Sequence, residues 1–349
     1  MADLRLGMIG AGEIASYTAA EVAKADDVVL SALADPNAAR ANELAAAHSV
    51  NEVYASATEL LEQGNVEAVY IAVPNALHAP LALQCLAAGK HVLLDKPFAL
   101  STTEASAVVE AAEHAGRVLM LGMNTRFHAN VQRARALQEQ GTFGPIYHVK
   151  AQWRRRSGIP RIGSWFTHKA SAGGGALLDI GVHMLDASLY ILNNFEPLSV
   201  SGVVENRFGG RGLGDGQWGR SERSDRQFDV EDFATALIRL KGGVSISLDA
   251  AWAMHQRESE IREIDLFGEN AGASVFAETL HQTPPEQFEH SESAFAAPLT
   301  YAHRSRVQNF VHCIAGREQP MVTANEALVV QRILDAIYQS SESGREVLL

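Results

Sequence analysis

Short apolar runs alternate with helix-like stretches over roughly the first 123 residues of the chain. The runs predicted to be strands are 5–9, 28–34, 68–73, 91–94 and 118–122. The stretches predicted to be helices are 14–25, 37–48, 80–88 and 101–115, and a capping box formed by Ser101 and Glu104 begins the last one. Apolar strands joined by helices are typical of a parallel sheet covered on both faces, so the pattern predicts a doubly wound α/β fold.

Beyond residue 123 the pattern changes to β-branched runs that are joined by turns. After a helix at 130–140, the predicted strands are 146–153, 199–206, 233–240, 244–251 and 260–267, with a hairpin turn at 241–243. Neighbouring strands without helical crossovers predict a large, mostly antiparallel open sheet, and two helices at 304–315 and 324–343 close the chain. The stretch 208–227 is rich in Gly, Arg and Ser and is predicted to be a long loop or arm.

The change of pattern predicts two domains, 1–123 and 124–349, with the closing helices as candidates for packing back on the first domain. A length of 349 residues agrees with this, because single hydrophobic cores stop growing at about 250–300 residues. The net charge of −12 argues against nucleic acid or an anionic membrane as a partner. The two cysteines lie far apart, and no leader-like segment or apolar run of about 18 residues is found, so we expect a soluble, cytoplasmic protein.

A glycine turn follows the first predicted strand and opens the first helix. Its G-x-G-x-x-A pattern places Gly10 at the tight turn, Gly12 where a pyrophosphate approaches the backbone, and Ala15 where the helix packs on the sheet. Glu13 and Ile14, at the start of the same helix, are further candidate contacts to the cofactor. In this context the pattern predicts a dinucleotide site.

Asp35 ends the second predicted strand, 20 residues beyond Ala15. A carboxylate at that place binds the 2′-hydroxyl of the adenosine ribose and repels a 2′-phosphate, so NAD is favoured over NADP. Arg40 is close enough in the sequence to leave NADP open.

Four further segments carry a resemblance to a known family. They are VPNALH at 73–78, DKP at 95–97, NTRF at 124–127, and GGGALLDIGVH at 173–183 followed by Asp186. With the glycine turn, their order and spacing resemble the glucose-fructose oxidoreductase, inositol dehydrogenase and MocA (Gfo/Idh/MocA) family from residue 5 to about residue 190. One departure is that the family usually has Glu before its Lys-Pro, where this chain has Asp95.

The resemblance implies a Rossmann domain followed by an α/β domain whose open sheet mediates homodimers or homotetramers. It also implies a nicotinamide cofactor and a sugar, polyol or inositol-type substrate that reacts at a hydroxyl carbon. Carried over by position, the catalytic residues, which also contact the substrate, are Lys96, Asp179 and His183. The residues implied at the nicotinamide end of the cofactor are Pro74, Asn75, His78, Asp95 and Lys96.

The implied catalytic residues suit hydride transfer from an alcohol carbon, which requires removal of the hydroxyl proton. Histidine is a suitable base near neutral pH, and the i, i+4 spacing of Asp179 and His183 places both on one helix face, where they reach adjacent substrate hydroxyls. Lys96 follows a predicted strand, and its ammonium would stabilise developing alkoxide charge. The alternatives are a structural buried histidine at 183 and a helix-start residue at His78.

The stretch 140–178 contains no Asp or Glu and carries a local charge of +6. Arg154 and Arg156 are candidate substrate contacts, including to an anionic group, because guanidinium groups bind phosphate and carboxylate bidentately. Trp165 is a candidate to stack on the nicotinamide, and Arg126 is a further candidate to bind substrate. The alternatives are a solvated strand face for the arginine run and an ion pair for Arg126.

Three functions remain open at this point. The leading one is an NAD(P)-dependent dehydrogenase of a sugar, polyol or inositol. The second is an NAD-dependent glycosidase of the same family that works by transient sugar oxidation, and the third is a dinucleotide-binding sensor without catalysis. A metal site at Asp179, His183 and Asp186 is disfavoured because nicotinamide chemistry needs no metal, so no metal is expected.

Overall fold

The computed structural model of the protein describes residues 3–216, 218, 227–283, 289–299, 301 and 303–349. Strands and helices alternate up to residue 123 in the order β1 (Leu4–Ile9), α1 (Glu13–Val22), β2 (Val28–Ala34), α2 (Ala38–His48), β3 (Glu52–Tyr54), α3 (Ala57–Gln63), β4 (Ala68–Ile71), α4 (His78–Ala87), β5 (His91–Leu94), α5 (Thr102–Ala115) and β6 (Leu119–Leu121). The elements that follow are α6 (Ala129–Glu139), β7 (Ile146–Arg155), α7 (Lys169–Ala172), α8 (Val182–Leu192), β8 (Pro197–Glu205), β9 (Phe233–Leu240), β10 (Ser245–Ala251), β11 (Glu260–Gly268), β12 (Gly272–Ser274), β13 (Thr279–Gln282) and β14 (Ser291–Ala294). The chain ends with α9 (Arg306–Ile314), α10 (Ala324–Ser343) and β15 (Val347–Leu348).

The first compact unit comprises Met1–Met123 and Ser305–Leu328. Its six strands are parallel and lie in the order β3-β2-β1-β4-β5-β6. All four residues of β4 are buried, as expected of a strand covered on both faces. The predicted doubly wound parallel sheet is therefore confirmed, with β3 and α3 as additional short elements that its pattern did not reveal.

The second compact unit comprises Asn124–Arg304 and Val329–Leu349. Its nine strands lie in the order β14-β13-β12-β11-β7-β10-β9-β8-β15, and the pairing is antiparallel except between β7 and β10. The large, mostly antiparallel sheet is therefore confirmed. The strands that the sequence did not predict, β12 to β15, are short and lie at the two edges of the sheet.

The polar stretch 208–227 is more ordered at its start than a flexible arm would be. The carboxylate of Asp232 accepts hydrogen bonds from the backbone N–H groups of Arg207, Phe208 and Gly209. A β-bridge then pairs Asp215 with Ile159. Residues 217 and 219–226 of this predicted loop lie outside the described residues.

The helical run Lys169–Leu192 is long and apolar enough to cross a membrane by length and composition, contrary to the expectation of no such run. However, 94% of its apolar window is buried inside the protein. This run includes α7 and α8, and it supplies the core beneath the second sheet.

Arg126 and Asp186 form a buried ion pair in the second unit, and neither side chain has exposed surface. The guanidinium donates from Nε to Oδ2 over 2.9 Å and from Nη2 to Oδ1 over 2.6 Å. The guanidinium carbon, Cζ, of Arg126 also lies 5.2 Å from the ring centroids of both Tyr190 and Phe195. A fully buried guanidinium held by a carboxylate fits the ion-pair alternative for Arg126, and its role in substrate binding stays a prediction.

We expect Arg126→Ala to lower the free energy of unfolding by about 3–5 kcal/mol, because it leaves a buried carboxylate without its partner. Urea denaturation measures this loss. The control is Arg239→Ala, which breaks an exposed pair with Glu346 and is expected to cost at most about 1 kcal/mol. Equal losses in the two variants would contradict a buried, stabilising pair.

Candidate active site

The predicted cofactor residues of the first unit follow the ends of its parallel strands. Because all six strands run in one direction, the residues that follow them lie along one edge of the sheet. Gly10 and Gly12 follow β1, Asp35 follows β2, Pro74 and Asn75 follow β4, and Asp95 and Lys96 follow β5. The strand order reverses at β1 and β4, which is where open α/β sheets bind ligands.

The glycine turn fits a dinucleotide. Gly10 has φ of +100°, and a Cβ there would lie 2.1 Å from the carbonyl oxygen of Ala72, so only glycine fits. Gly12, by contrast, begins α1, and its Cβ would meet nothing within 4 Å. The backbone at the helix N-terminus is therefore open to a phosphate group, and Glu13 and Ile14 beside it are exposed.

Asp35 lies against the glycine turn. Its Oδ2 accepts a hydrogen bond from the N–H of Ala11 and its Oδ1 from the N–H of Asn37, both over 2.7 Å. Asn37 in turn caps α2 by accepting from the N–H of Arg40. A carboxylate has about four acceptor sites, so these two bonds leave capacity for ribose hydroxyls.

The side chains of His78 and Asp95 both make hydrogen bonds within the protein. The ring nitrogens of buried His78 lie 2.7 Å and 3.0 Å from the carbonyl oxygens of Pro97 and Val73, and burial lowers the pKa of its imidazole. Asp95 accepts a hydrogen bond from Tyr70 over 2.8 Å and lies 3.7 Å from Nη1 of Arg306. These contacts engage both side chains in holding the loops after β4 and β5, and their predicted cofactor roles stay predictions.

Lys96 is positioned by this network. Its backbone N–H donates to Oδ1 of Asp95 over 2.7 Å, and its side chain is only half-buried. Lys96 belongs to the first unit and Asp179 and His183 to the second, so the three implied catalytic residues are divided between the units.

The second unit contains a pocket of about 660 Å³. Its wall includes Trp153, Arg155, Asp179, His183, Trp218 and Glu260. The sequence pattern predicted Asp179 and His183 together, and the structure brings both to this pocket. The four other residues were missed as individual site residues.

Asp179 lies in a π-helical turn, Leu177–Gly181, directly before α8, whose first turn carries His183. The indole Nε1 of Trp252, a fully buried residue, donates to Oδ2 of Asp179 over 2.9 Å. The imidazole of His183 lies 6.1 Å from the ring of Trp153. Trp252 is thus a further site residue, and no motif in the sequence marked it.

Glu231 anchors the start of this helical segment. Its Oε1 accepts from the N–H of Gly175 over 2.8 Å, from the N–H of Leu177 over 3.0 Å and from the hydroxyl of Tyr338 over 2.9 Å. A Cβ at Gly175 would lie 2.0 Å from the carbonyl oxygen of Glu231, which explains a glycine in the 173–175 run. Burial raises the pKa of Glu231, and the three donors oppose that rise.

Arg155 and Glu260 face each other across β7 and β11 at the pocket. Nε of Arg155 and Nε1 of Trp153 both donate to Oε1 of Glu260, over 2.8 Å and 2.7 Å. Burial alone would raise the pKa of Glu260, but these two bonds and the charges of Arg155 and Arg262 together outweigh burial and lower the pKa below its ordinary value. Glu260 is therefore ionised near neutral pH and offsets the charge of Arg155.

Arg154, Arg156 and Trp165 do not line this pocket within the described part of the chain. Strand residues alternate between faces, so Arg154 points away from the face of Trp153 and Arg155, and its Nη2 donates to Gln152. Arg156 donates to the carbonyl oxygen of Arg257, and the ring of Trp165 stacks on Phe166 at 3.9 Å. Of the three consecutive arginines, Arg155 lines the pocket, and the substrate contacts of Arg154 and Arg156 stay predictions.

Sequence comparison covers both units. Residues 4–123 match the profile of an oxidoreductase family with an NAD-binding Rossmann fold, and residues 131–274 match the GFO/IDH/MocA C-terminal domain. The D-glucoside 3-dehydrogenase of Escherichia coli is 29% identical over 347 residues, which are 99% of this chain and 97% of that protein. The myo-inositol 2-dehydrogenase of Thermotoga maritima is 26% identical, over 99% of this chain and 98% of its own.

A comparison with solved structures agrees at the level of the fold. The aldose-aldose oxidoreductase from Caulobacter crescentus, complexed with glycerol, has a TM-score of 0.82 and 24% identity, and covers 99% of this chain and 100% of its own. The two profiles together span about three quarters of the sequence, and the relatives match over nearly their full length. The chain belongs to the Gfo/Idh/MocA family of NAD-binding oxidoreductases.

Proposed function

We propose that the protein is a dehydrogenase that transfers hydride between NAD and a hydroxyl carbon of a neutral sugar or polyol. The observation that carries the proposal is the pocket where Asp179 and His183 meet Trp153, Trp218 and the Arg155–Glu260 pair. Indole rings, an imidazole and paired charges suit a ligand that offers hydroxyl groups and apolar C–H faces. The names of the D-glucoside and myo-inositol dehydrogenases support this class of substrate.

The sheet edge of the first unit is proposed to hold the cofactor. The residues that would bind NAD are Gly10, Gly12, Asp35, Pro74 and Asn75, with Glu13 and Ile14 beside the turn. Bound NAD supplies the hydride acceptor, which no side chain provides. The carboxylate of Asp35 disfavours the 2′-phosphate of NADP.

His183 is proposed to take the proton of the reacting hydroxyl during oxidation and to return it during reduction. Asp179, oriented by Trp252, would accept a hydrogen bond from a neighbouring substrate hydroxyl and stabilise the imidazolium that forms. The ammonium of Lys96 would stabilise the alkoxide charge that develops during the reaction. In this assignment an imidazole takes the proton, a carboxylate stabilises the imidazolium, and an ammonium stabilises the alkoxide.

The charges at the pocket favour a neutral substrate. Its wall has two carboxylates, Asp179 and Glu260, against one guanidinium, Arg155, which is already paired with Glu260. The ammonium of Lys96 is assigned to the reacting oxygen, so a phosphate or carboxylate elsewhere on the substrate would meet the two carboxylates of the wall. Unfavourable like-charge contacts of this kind cost several kcal/mol. We therefore favour glycosides, aldoses and inositols over sugar phosphates and uronic acids.

A substrate panel tests the proposal, with reduced nicotinamide followed by its absorbance. We expect turnover of neutral sugars or inositols with NAD, a lower kcat/KM with NADP, and at least about a tenfold lower kcat/KM for phosphorylated or uronic analogues. Glu260→Gln should reduce the difference in kcat/KM between neutral and anionic substrates, because it removes the carboxylate that offsets the charge of Arg155. The control Glu258→Gln, which alters an exposed neighbour, should leave that difference unchanged. A preference of the wild type for anionic sugars would contradict the proposed class. Cleavage of a chromogenic glycoside without net NADH would favour the glycosidase alternative.

Two single variants test the catalytic assignment. His183→Asn and Lys96→Ala are each expected to lower kcat by about 10²- to 10⁴-fold, because each removes proton transfer or charge stabilisation at the reacting oxygen. NADH binding, followed by nicotinamide fluorescence, should persist in both. Lys24→Ala, at an exposed position, serves as the control. Undiminished turnover in either variant would remove that residue from the mechanism.

Trp252→Phe tests the orientation of Asp179. A hydrogen bond to a charged group contributes about 1.5–3 kcal/mol, so kcat should fall by roughly 10- to 150-fold if the bond serves the transition state. The measurement is a double-mutant cycle with Asp179→Asn. If Trp252 acts through Asp179, the double variant should be little worse than Asp179→Asn alone. Losses that multiply would assign Trp252 a purely structural role.

A further inference from the structure

Two histidines and one glutamate meet on the hairpin that forms one edge of the second sheet. In the antiparallel pairing of β13 with β14, His281 lies directly opposite Glu292. His290 lies two residues before Glu292, and this spacing directs both side chains to the same face. None of these residues belongs to the pocket or to the cofactor edge described above.

The side-chain atoms of this group are close enough to share one ligand. Oε1 of Glu292 lies 3.1 Å from Nε2 of His290 and 3.7 Å from Nδ1 of His281. All three candidate ligand atoms lie within 4.8 Å of one another. Zn²⁺ binds nitrogen and oxygen ligands at about 2.0–2.2 Å in a tetrahedron, which places neighbouring ligand atoms roughly 3.4 Å apart. The observed separations bracket that value.

Hydrogen bonds from a neighbouring serine and aspartate orient one of the histidines. Nε2 of His281 lies 3.2 Å from the hydroxyl of Ser274 on β12, and that hydroxyl donates to Oδ1 of Asp265 on β11 over 2.7 Å. These two hydrogen bonds engage Nε2 of His281, and its other ring nitrogen, Nδ1, is directed toward Glu292. Histidines that bind metals in proteins are oriented in the same way by a partner on the far nitrogen.

We propose that His281, His290 and Glu292 form a zinc site on the β13–β14 hairpin. Two imidazoles and a carboxylate favour a borderline ion such as Zn²⁺ over Ca²⁺ or Mg²⁺, which prefer all-oxygen sites. The three ligands are half-buried or exposed, so water completes the coordination. The proposed zinc site performs no chemistry on a substrate. The proposal is therefore independent of the proposed dehydrogenase activity.

The site joins adjacent strands at an exposed edge. Among the described strands, β14 is the outermost and has β13 as its one neighbour, and all four of its residues are exposed. Burial of side chains therefore contributes little to holding β14 on the sheet. A zinc ion bound by both strands stabilises the folded hairpin, because the complete ligand set is assembled only in the folded state.

Calorimetric titration of chelator-treated, untagged full-length protein with ZnCl₂ tests the site. We expect His281→Ala and His290→Ala each to lose one equivalent of bound zinc, or to bind it at least about tenfold more weakly. Ser274→Ala removes only the outer-shell hydroxyl and is expected to weaken binding by about 10- to 100-fold. The matched control is His114→Ala, an exposed histidine at the end of α5, which should bind as the wild type does.

Thermal unfolding gives a second readout, with circular dichroism confirming that each variant is folded. Saturating zinc should raise the midpoint of the wild type by more than that of the double variant His281→Ala/His290→Ala. The proposal is overturned if the double variant binds as many equivalents of zinc, with the same affinity, as the wild type. The absence of zinc uptake by the wild type would overturn it equally, whatever substrate the protein turns over.

Discussion

The buried carboxylate of Glu231 is the constraint on which the pocket of the second unit depends. It holds the N-terminus of the helical segment that presents Asp179 and His183, through two backbone N–H groups and the hydroxyl of Tyr338. Leaving a buried carboxylate without these donors would cost several kcal/mol, so the helix start has little freedom to rotate or slide. Trp252 then constrains Asp179 from the adjacent sheet. The candidate base and its neighbouring carboxylate are thus held at both the backbone and the side chain.

A second buried carboxylate, Asp95, constrains the loop that carries Lys96 in the first unit. Asp95 accepts from Tyr70 and from the backbone of Lys96, and it lies close to Arg306 at the start of α9. Arg306 is itself almost fully buried and also contacts Glu21 and Thr18 of α1. The C-terminal segment of the chain therefore stabilises the loop that carries Lys96 and the helix that begins at the glycine turn. This network fixes the position of the loop that carries Lys96.

Much of the fold was predictable from the sequence, because β2, β5 and β9 are apolar enough to stand out from their flanks. The short elements were not, because β3, α3 and β12 to β15 are too brief or too polar for periodicity to appear. Asp179 and His183 were found because one motif contains both. Trp252, Glu231 and Glu260 lie far from that motif and reach it only through strand pairing and helix packing, which no local pattern records. Arg155 was missed for a narrower reason: which of three consecutive arginines faces the pocket depends on the strand face.

The same dependence on strand pairing explains why one arginine of the basic stretch has its charge compensated at the pocket. The stretch 140–178 carries a charge of +6 because its sequence lacks acids, yet β7 lies beside β11, which begins with Glu260. Arg155 thereby gains a carboxylate more than a hundred residues away, and Trp153 donates to the same oxygen. These hydrogen bonds and the nearby guanidinium charges lower the pKa of Glu260, so its carboxylate compensates the charge of Arg155 at the pocket. The net charge of a sequence segment therefore does not predict the charge of a binding site until the partner strand is known. Here the pairing of Arg155 with Glu260 supports the proposed substrate, which is recognised through hydroxyl groups.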